Sequence, residues 1–262
     1  MIDIDFLTKK YFYSNTPVEY ELRNGQILKI YPILVKDWYK FEKCYQLLTI
    51  DKKEFAVPEI IQMSYLEFLF KVMCGSSDET HEINTVRLKT ILSLCLNEKS
   101  ENILFREMNN KPCIIIINDE DIIQKIISAK DFDEIKKIVL FQNIAEYDDT
   151  EMSADIRKVI EDVTSVKCKD MVEVTLEDKL IFLGNKLGLK NKDMLDMTYR
   201  EFSRRFDMAV EEMDYIINRT AELSGNVKFK RPLEHLIYKK KRNKFEDYFV
   251  DADNFANKIQ NA

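Results

Sequence analysis

Apolar residues recur along this chain in a few rhythms, and each rhythm places a different element. From Val18 to Ile33, VEYELRNGQILKIYPI sets two alternating runs on either side of Asn24 and Gly25, a dipeptide that tolerates the positive φ angles of a tight turn. That stretch predicts a β-hairpin. Spacings of three and four follow: Asp37 stands as the cap of a helix whose Trp38, Phe41, Cys44, Tyr45 and Leu48 share one stripe. Pro58 opens another helix running to about Met73, apolar nearly all round from Ile60 through Leu66 and Leu69, and such a helix is expected to be buried centrally.

The polar stretch Ser76 to Asn84 predicts a loop, and TVRLKTILSLCL after it suits a helix or an extended run. NILFREMNNKPCIIII reads as a second hairpin turning at Asn109 and Asn110. NDEDIIQKIISAKDFDEIKKIVLFQN then predicts two short helices, with Asn118 or Asp119 as N-cap and acids in the first turn. The acidic run AEYDDTEMSAD marks the expected boundary between an α+β domain over residues 1–145 and a helical domain over 151–262. Beyond it the pattern predicts helices near Ser153 to Val166, Leu176 to Leu187 and Thr198 to Ser224, with a short last one near Asp251 to Ile259. The fold class is therefore mainly α, an α+β arrangement with two short β-hairpins in the N-terminal half and a helical C-terminal half.

The late helix carries the clearest pattern. Thr198 and Glu201 form a capping-box signature, and Gly225 stands where a helix commonly ends. Between them Tyr199, Phe202, Phe206, Ala209, Met213, Ile216, Thr220 and Leu223 alternate at three and four, the a/d spacing of a left-handed helical seam, with Arg204, Arg205, Glu211, Glu212 and Asp214 opposite. Such a seam either packs on neighbouring helices of its own chain or forms a groove for a partner helix. Aromatic and thioether side chains repack easily around varied apolar sequences, so Phe202, Phe206, Met213 and Ile216 are the candidate partner-binding residues.

Composition adjusts this picture in three places. Five glycines and five prolines in 262 residues are few breakers, which favours long helices. A net charge of −6 gives no global pull toward nucleic acid or anionic lipid. Cys44, Cys74, Cys95, Cys113 and Cys168 are odd in number, widely spaced and without a CxxC, and read as reduced core thiols. The opening MIDIDFLTKKYFYS lacks an apolar h-region, so neither a secretion signal nor a membrane span is expected.

Candidate chemistry is sparse. His81 and His235 have no carboxylate or cysteine at metal-ligand spacing and read as surface or packing histidines. GNKLG at Gly184 to Gly188 is too short for a P-loop and suits a helix end, while Asp119 to Asp121 and Asp148 with Asp149 lack EF-hand spacing. No metal, cofactor or catalytic residue is expected, and the chain is read as a non-enzyme. A basic patch of Lys228, Lys230, Arg231, Lys239, Lys240, Lys241, Arg242 and Lys244 lies among Phe229, Tyr238 and Phe245. It could contact phosphates and bases, but Asp247, Asp251 and Asp253 follow closely, and a solvated face or an acidic protein partner fits it better.

KIYPILVKDWYKFEKCYQLLTI at Lys29 to Ile50, MSYLEFLF at Met63 to Phe70 and DMLDMTYREF at Asp193 to Phe202 resemble proteins of the tail-gene clusters of phages and prophages of low-GC Gram-positive bacteria. Within such clusters, small acidic helical proteins similar to this one include tail assembly chaperones, which coat the tape-measure protein until tube polymerisation displaces them. The resemblance implies a helical protein client, a host-cytoplasmic location during assembly and no membrane. Three readings follow: a chaperone, a permanent tail or baseplate component held in homo-oligomeric contacts, and a nucleic-acid-binding regulator using the basic segment.

Overall fold

The computed structural model describes residues 16–74, 79–144 and 174–225, together with 227–229, 233 and 235. By contacts the chain groups into two units, Met1–Glu151 with Leu187–Arg204, and Met152–Lys186 with Arg205–Ala262. One cut lies inside the acidic stretch between the expected 1–145 and 151–262 domains; residues 187–204 group with the N-terminal part. Mixed α and β structure appears as expected: two small antiparallel sheets precede a helical C-terminal part.

In the first unit, strands β1 (Val18–Glu21) and β2 (Ile27–Ile30) pair antiparallel with Val18 opposite Ile30 and Glu21 opposite Ile27. Gly25 supplies the turn at φ 82, and the Asn24 side-chain oxygen accepts the Gln26 N–H at 3.1 Å. Short helices α1 (Trp38–Glu42) and α2 (Gln46–Thr49) bury Trp38, Phe41, Leu47 and Leu48. Asp37 makes no side-chain cap bond there; it ends a 3₁₀ turn, Val35–Asp37, and its carboxylate lies 3.5 Å from the Lys40 ammonium.

The helix expected from Pro58 to Met73 is in fact broken. Helix α3 (Pro58–Gln62) ends where Met63 turns extended, and Ser64 caps a new start by accepting the Glu67 N–H at 3.2 Å. Helix α4 (Tyr65–Phe68) then runs into a π-type turn, Leu69–Met73. Only the second part is central: Tyr65, Leu66, Phe68 and Leu69 are buried, while no residue of α3 is. A capping serine in mid-segment outcompetes an apolar run that carries no strict helical stripe.

Helix α5 (Glu79–Leu96) starts inside the stretch expected to be a loop, and the buried Asn84 within it donates to the Met73 carbonyl at 3.0 Å. Strands β3 (Ile103–Met108), β4 (Lys111–Ile117) and β5 (Ile123–Ser128) form an antiparallel meander in that order. Asn109 and Asn110 both take positive φ, 52 and 59, the twist a two-residue hairpin turn needs. β4 is central and buried from Pro112 to Ile117, so both sheet faces are apolar, with Cys113, Ile115 and Ile117 clustered on one.

The first of the two helices expected over 118–143 is β5. Asn118 does not start a helix; its side-chain oxygen accepts the N–H groups of Glu120 and Ile122 at 3.0 and 2.8 Å, and Asp121 turns left-handed at φ 59. Ile122, Ile123, Ile126 and Ile127 recur at spacings that suit either period, and the free edge of β4 offers the ladder that selects the strand. Helix α6 (Ala129–Asn143) follows, capped by a box between Ser128 and Asp131.

Both ends of α6 hold the first hairpin. Asp131 is buried and accepts from Ser128 Oγ at 2.5 Å, from the Tyr20 hydroxyl at 3.2 Å and from the Arg23 N–H at 3.2 Å, with the Arg23 guanidinium 3.8 Å away. Burial, and then the Asp131 charge, push the Tyr20 hydroxyl up to about 12. At the far end the buried Asn143 side chain accepts the Ile33 N–H at 2.7 Å, and Gln142 donates to the Ile30 carbonyl at 3.1 Å. The strip after β2 is thereby fixed, and it receives residues from late in the chain: Tyr199 N–H donates to the Ile33 carbonyl at 2.8 Å and Val35 N–H to that of Met197 at 3.0 Å.

Candidate partner-binding face

Helix α7 (Leu176–Leu187) matches its expected limits, ending at Gly188 with φ 66, and a short α8 (Asn191–Leu195) that the pattern did not announce comes next. Helix α9 (Tyr199–Leu223) spans about 37 Å. Thr198 Oγ1 accepts the Glu201 N–H at 3.3 Å, and Gly225 closes the helix at φ 77 with its N–H on the Glu222 carbonyl at 3.0 Å.

The opening turns of α9 belong to the first unit and are core. Tyr199 stacks on Trp38 with ring centroids 3.3 Å apart, and Phe202 is 0% exposed. Arg200 donates to the carbonyls of Phe141 and Ile144 at the end of α6, a cation placed on the negative end of a helix dipole. Phe202 therefore corrects the expected partner-binding set: a side chain without accessible surface offers nothing to a second molecule.

In the second unit the seam continues and then opens. Phe206 is half-buried, edge-on to Phe182 of α7 at 5.5 Å with the Lys179 ammonium 5.4 Å over its ring. Ala209 is buried, and the Lys186 ammonium lies 3.3 Å from the Glu212 carboxylate. Past that pair the same stripe is uncovered: Met213 is 37% exposed, Ile216 50% and Leu223 73%, and beside it Ile217 is 60% exposed. Two of the four expected residues, Met213 and Ile216, thus stand on an open apolar face, and Phe206 lies at its covered end.

Ile217 was not among the expected residues, although it is more exposed than Ile216. It sits one position outside the a/d stripe, and three- and four-residue spacing marks a stripe without saying which neighbours widen it. Of the basic patch, Lys228 is exposed; Lys230, Arg231 and Lys239 to Lys244 lie outside the described residues, as do Cys168 and the expected helices at Ser153 to Val166 and Asp251 to Ile259.

Among the described residues, the histidines are engaged and the thiols are wholly or partly buried. His235 packs edge-on against Tyr215 at 4.9 Å, and His81 Nε2 lies 3.1 Å from the Val72 carbonyl oxygen. Burial raises the thiols of Cys44, Cys74, Cys95 and Cys113, so each stays protonated. A groove of about 580 Å³ in the first unit is lined by Tyr31 to Leu34, Ser93, Lys99 and Thr198 among others. Its lysine pairs with Asp119 at 2.9 Å, and its threonine hydroxyl is the α9 cap. Among the described residues no three of His, Cys, Asp and Glu converge on a metal position, and no helix is long and apolar enough to cross a membrane. Comparison with protein-family models, with curated proteins and with solved structures found no match to this chain.

Proposed function

We propose that this chain is a non-enzymatic protein of phage tail morphogenesis, a tail assembly chaperone that shields an apolar helical client such as the tape-measure protein. One observation carries the reading: α9 leaves Met213, Ile216, Ile217 and Leu223 exposed along one side, broken by Thr220 alone, on a helix whose first turns are anchored. An amphipathic helix laid along such a strip buries apolar surface on both partners, the usual basis of helix-in-groove recognition. The tail-cluster resemblance of Lys29 to Ile50, Met63 to Phe70 and Asp193 to Phe202 supplies the biological setting.

Co-expression with helical fragments of the tape-measure protein from the same cluster tests it. The full chain should copurify with a fragment, and the double variant Ile216→Glu, Ile217→Glu should lose the fragment while melting at an unchanged temperature. Finding the protein in purified mature particles would favour the permanent tail component instead, since a chaperone leaves before completion.

A further inference from the structure

We infer that the outer edge of β3 is a docking site for an extended segment of another polypeptide, which adds an antiparallel strand to the sheet and seats an apolar side chain beside Phe105. The hydrogen-bonding phase of the β3–β4 ladder fixes this. Met108 and Lys111 flank the two-residue turn at Asn109 and Asn110, so Met108, Arg106 and Leu104 turn their backbone groups toward β4. Ile103, Phe105 and Glu107 turn theirs away. Among the described residues no strand pairs with that outer side. The groups such an edge presents are those of a ladder, and they are satisfied by another extended backbone.

A cavity of about 180 Å³ lies on the Phe105 face, lined by Phe70 and Cys74 at the π-type turn, Thr85 and Leu88 of α5, and Phe105 itself. The Thr85 hydroxyl donates to the His81 carbonyl at 2.9 Å, and Phe70 meets Phe105 edge-on at 5.3 Å, so the walls are apolar. The space is smaller than the roughly 300 Å³ at which small-molecule sites begin, and it suits one side chain. A residue hydrogen-bonded opposite Phe105 stands about 5.5 Å from it with its side chain on the same face, at this cavity.

Charges along the edge specify the neighbours of that residue. Arg106 and Glu107 are exposed and form no ion pair among the described residues. In an antiparallel partner the apolar residue follows the one facing Arg106, which follows the one facing Glu107, so the fitting order is basic, acidic, apolar. A second copy fits poorly. Pairing β3 with β3 keeps the bonding phase in three registers: Phe105 opposite Glu107 sets Arg106 on Arg106, Glu107 opposite itself sets like charges together, and Phe105 opposite itself sets Glu107 beside Ile103, which is 0% exposed. The site lies in the first unit and goes beyond the client reading of α9.

Fluorescence anisotropy of the full chain with a labelled, end-capped peptide Thr-Lys-Glu-Leu-Val-Thr tests it. Binding should saturate with a Kd below about 1 mM. Methylating the leucine N–H, which donates to the Phe105 carbonyl, should weaken binding about tenfold, whereas methylating the glutamate N–H, which points away from β3, should change it less than about twofold. The charge-exchanged peptide Thr-Glu-Lys-Leu-Val-Thr should bind roughly fivefold weaker, and the variant Arg106→Glu, Glu107→Arg should reverse that preference. Both positions are exposed and circular dichroism checks the fold, while the two methylated peptides probe the ladder on the unaltered chain. The Ile216→Glu, Ile217→Glu variant should bind the peptide as wild type does, so this edge and the client face fail independently. Absence of saturation, equal effects of the two methylations, an unchanged preference in the β3 variant, or loss of the peptide in the α9 variant each overturns the proposal. Dimerisation of the chain alone, abolished in the β3 variant, also overturns it, since a second copy is then the occupant.

Discussion

Phe202 and Leu223 hold the same position of one repeating pattern three repeats apart, yet Phe202 is 0% exposed and Leu223 73%. The contrast shows that a periodic stripe specifies the face a helix would bury, and leaves open what covers it. Around Phe202 the cover is dense: Thr198 is buried, Tyr199 stacks on Trp38, and the neighbouring backbone bonds to Ile33. Around Leu223 the stripe meets solvent. The first portion therefore contributes to stability and the last is free to contribute to binding.

The sharpest way to break this contrast is to place a charge at each end. Phe202→Asp removes a filled core position and buries an unpaired carboxylate, so urea unfolding should report a loss of about 5 kcal/mol or more. A small loss there would mean that the anchored end is not core.

Asp131→Ala provides the polar counterpart in the first unit. It strands the Tyr20 hydroxyl, the Arg23 N–H and the Ser128 cap, and should cost about 3 kcal/mol by the same measurement. Phe206→Ala sits between the extremes; its half-buried ring against Phe182 should be worth about 1–2 kcal/mol, below the Phe202 value.

Tyr20 adds a pH signature to the anchored side. Its hydroxyl is held up to about 12 in the folded chain, above the ordinary 10.0, so its contribution is complete below pH 10 and is lost as pH rises toward 12. Discounted for its partial exposure, the loss should be on the order of 1 kcal/mol, and Tyr20→Phe should flatten alkaline unfolding curves over that window.

Leu223→Asp has the smallest expected effect on folding, within about 0.5 kcal/mol, because the side chain is already in water. If it instead unfolds the chain, the open portion is core and the proposed binding face is withdrawn.

Much of the fold was legible where a local bond decides the element. The turns at Asn24–Gly25 and Asn109–Asn110 need only residues that accept positive φ, and the limits of α7 and α9 follow from Gly188, Thr198 and Gly225. Legibility failed where two local preferences tied. Ile122 to Ile127 suits either period, and Ser64 could cap a helix or sit inside one; the edge of β4 and the burial of Tyr65 to Leu69 broke those ties. For the candidate face, the stripe through Met213 and Ile216 was visible, whereas the wider strip with Ile217 was not.

The order of residues was enough to dictate periodicity, caps and turns, because these depend on φ preferences and side chains within about four positions of each other. It could not dictate which part of the α9 stripe is spent on the core. That depends on contacts between positions more than fifty residues apart, such as Tyr199 with Ile33 and Arg200 with Phe141 for Phe202's neighbourhood, and on how far α7 reaches along α9 past Phe206 and Glu212. Burial belongs to the assembled chain, since an apolar side chain is removed from water only by what lands on top of it.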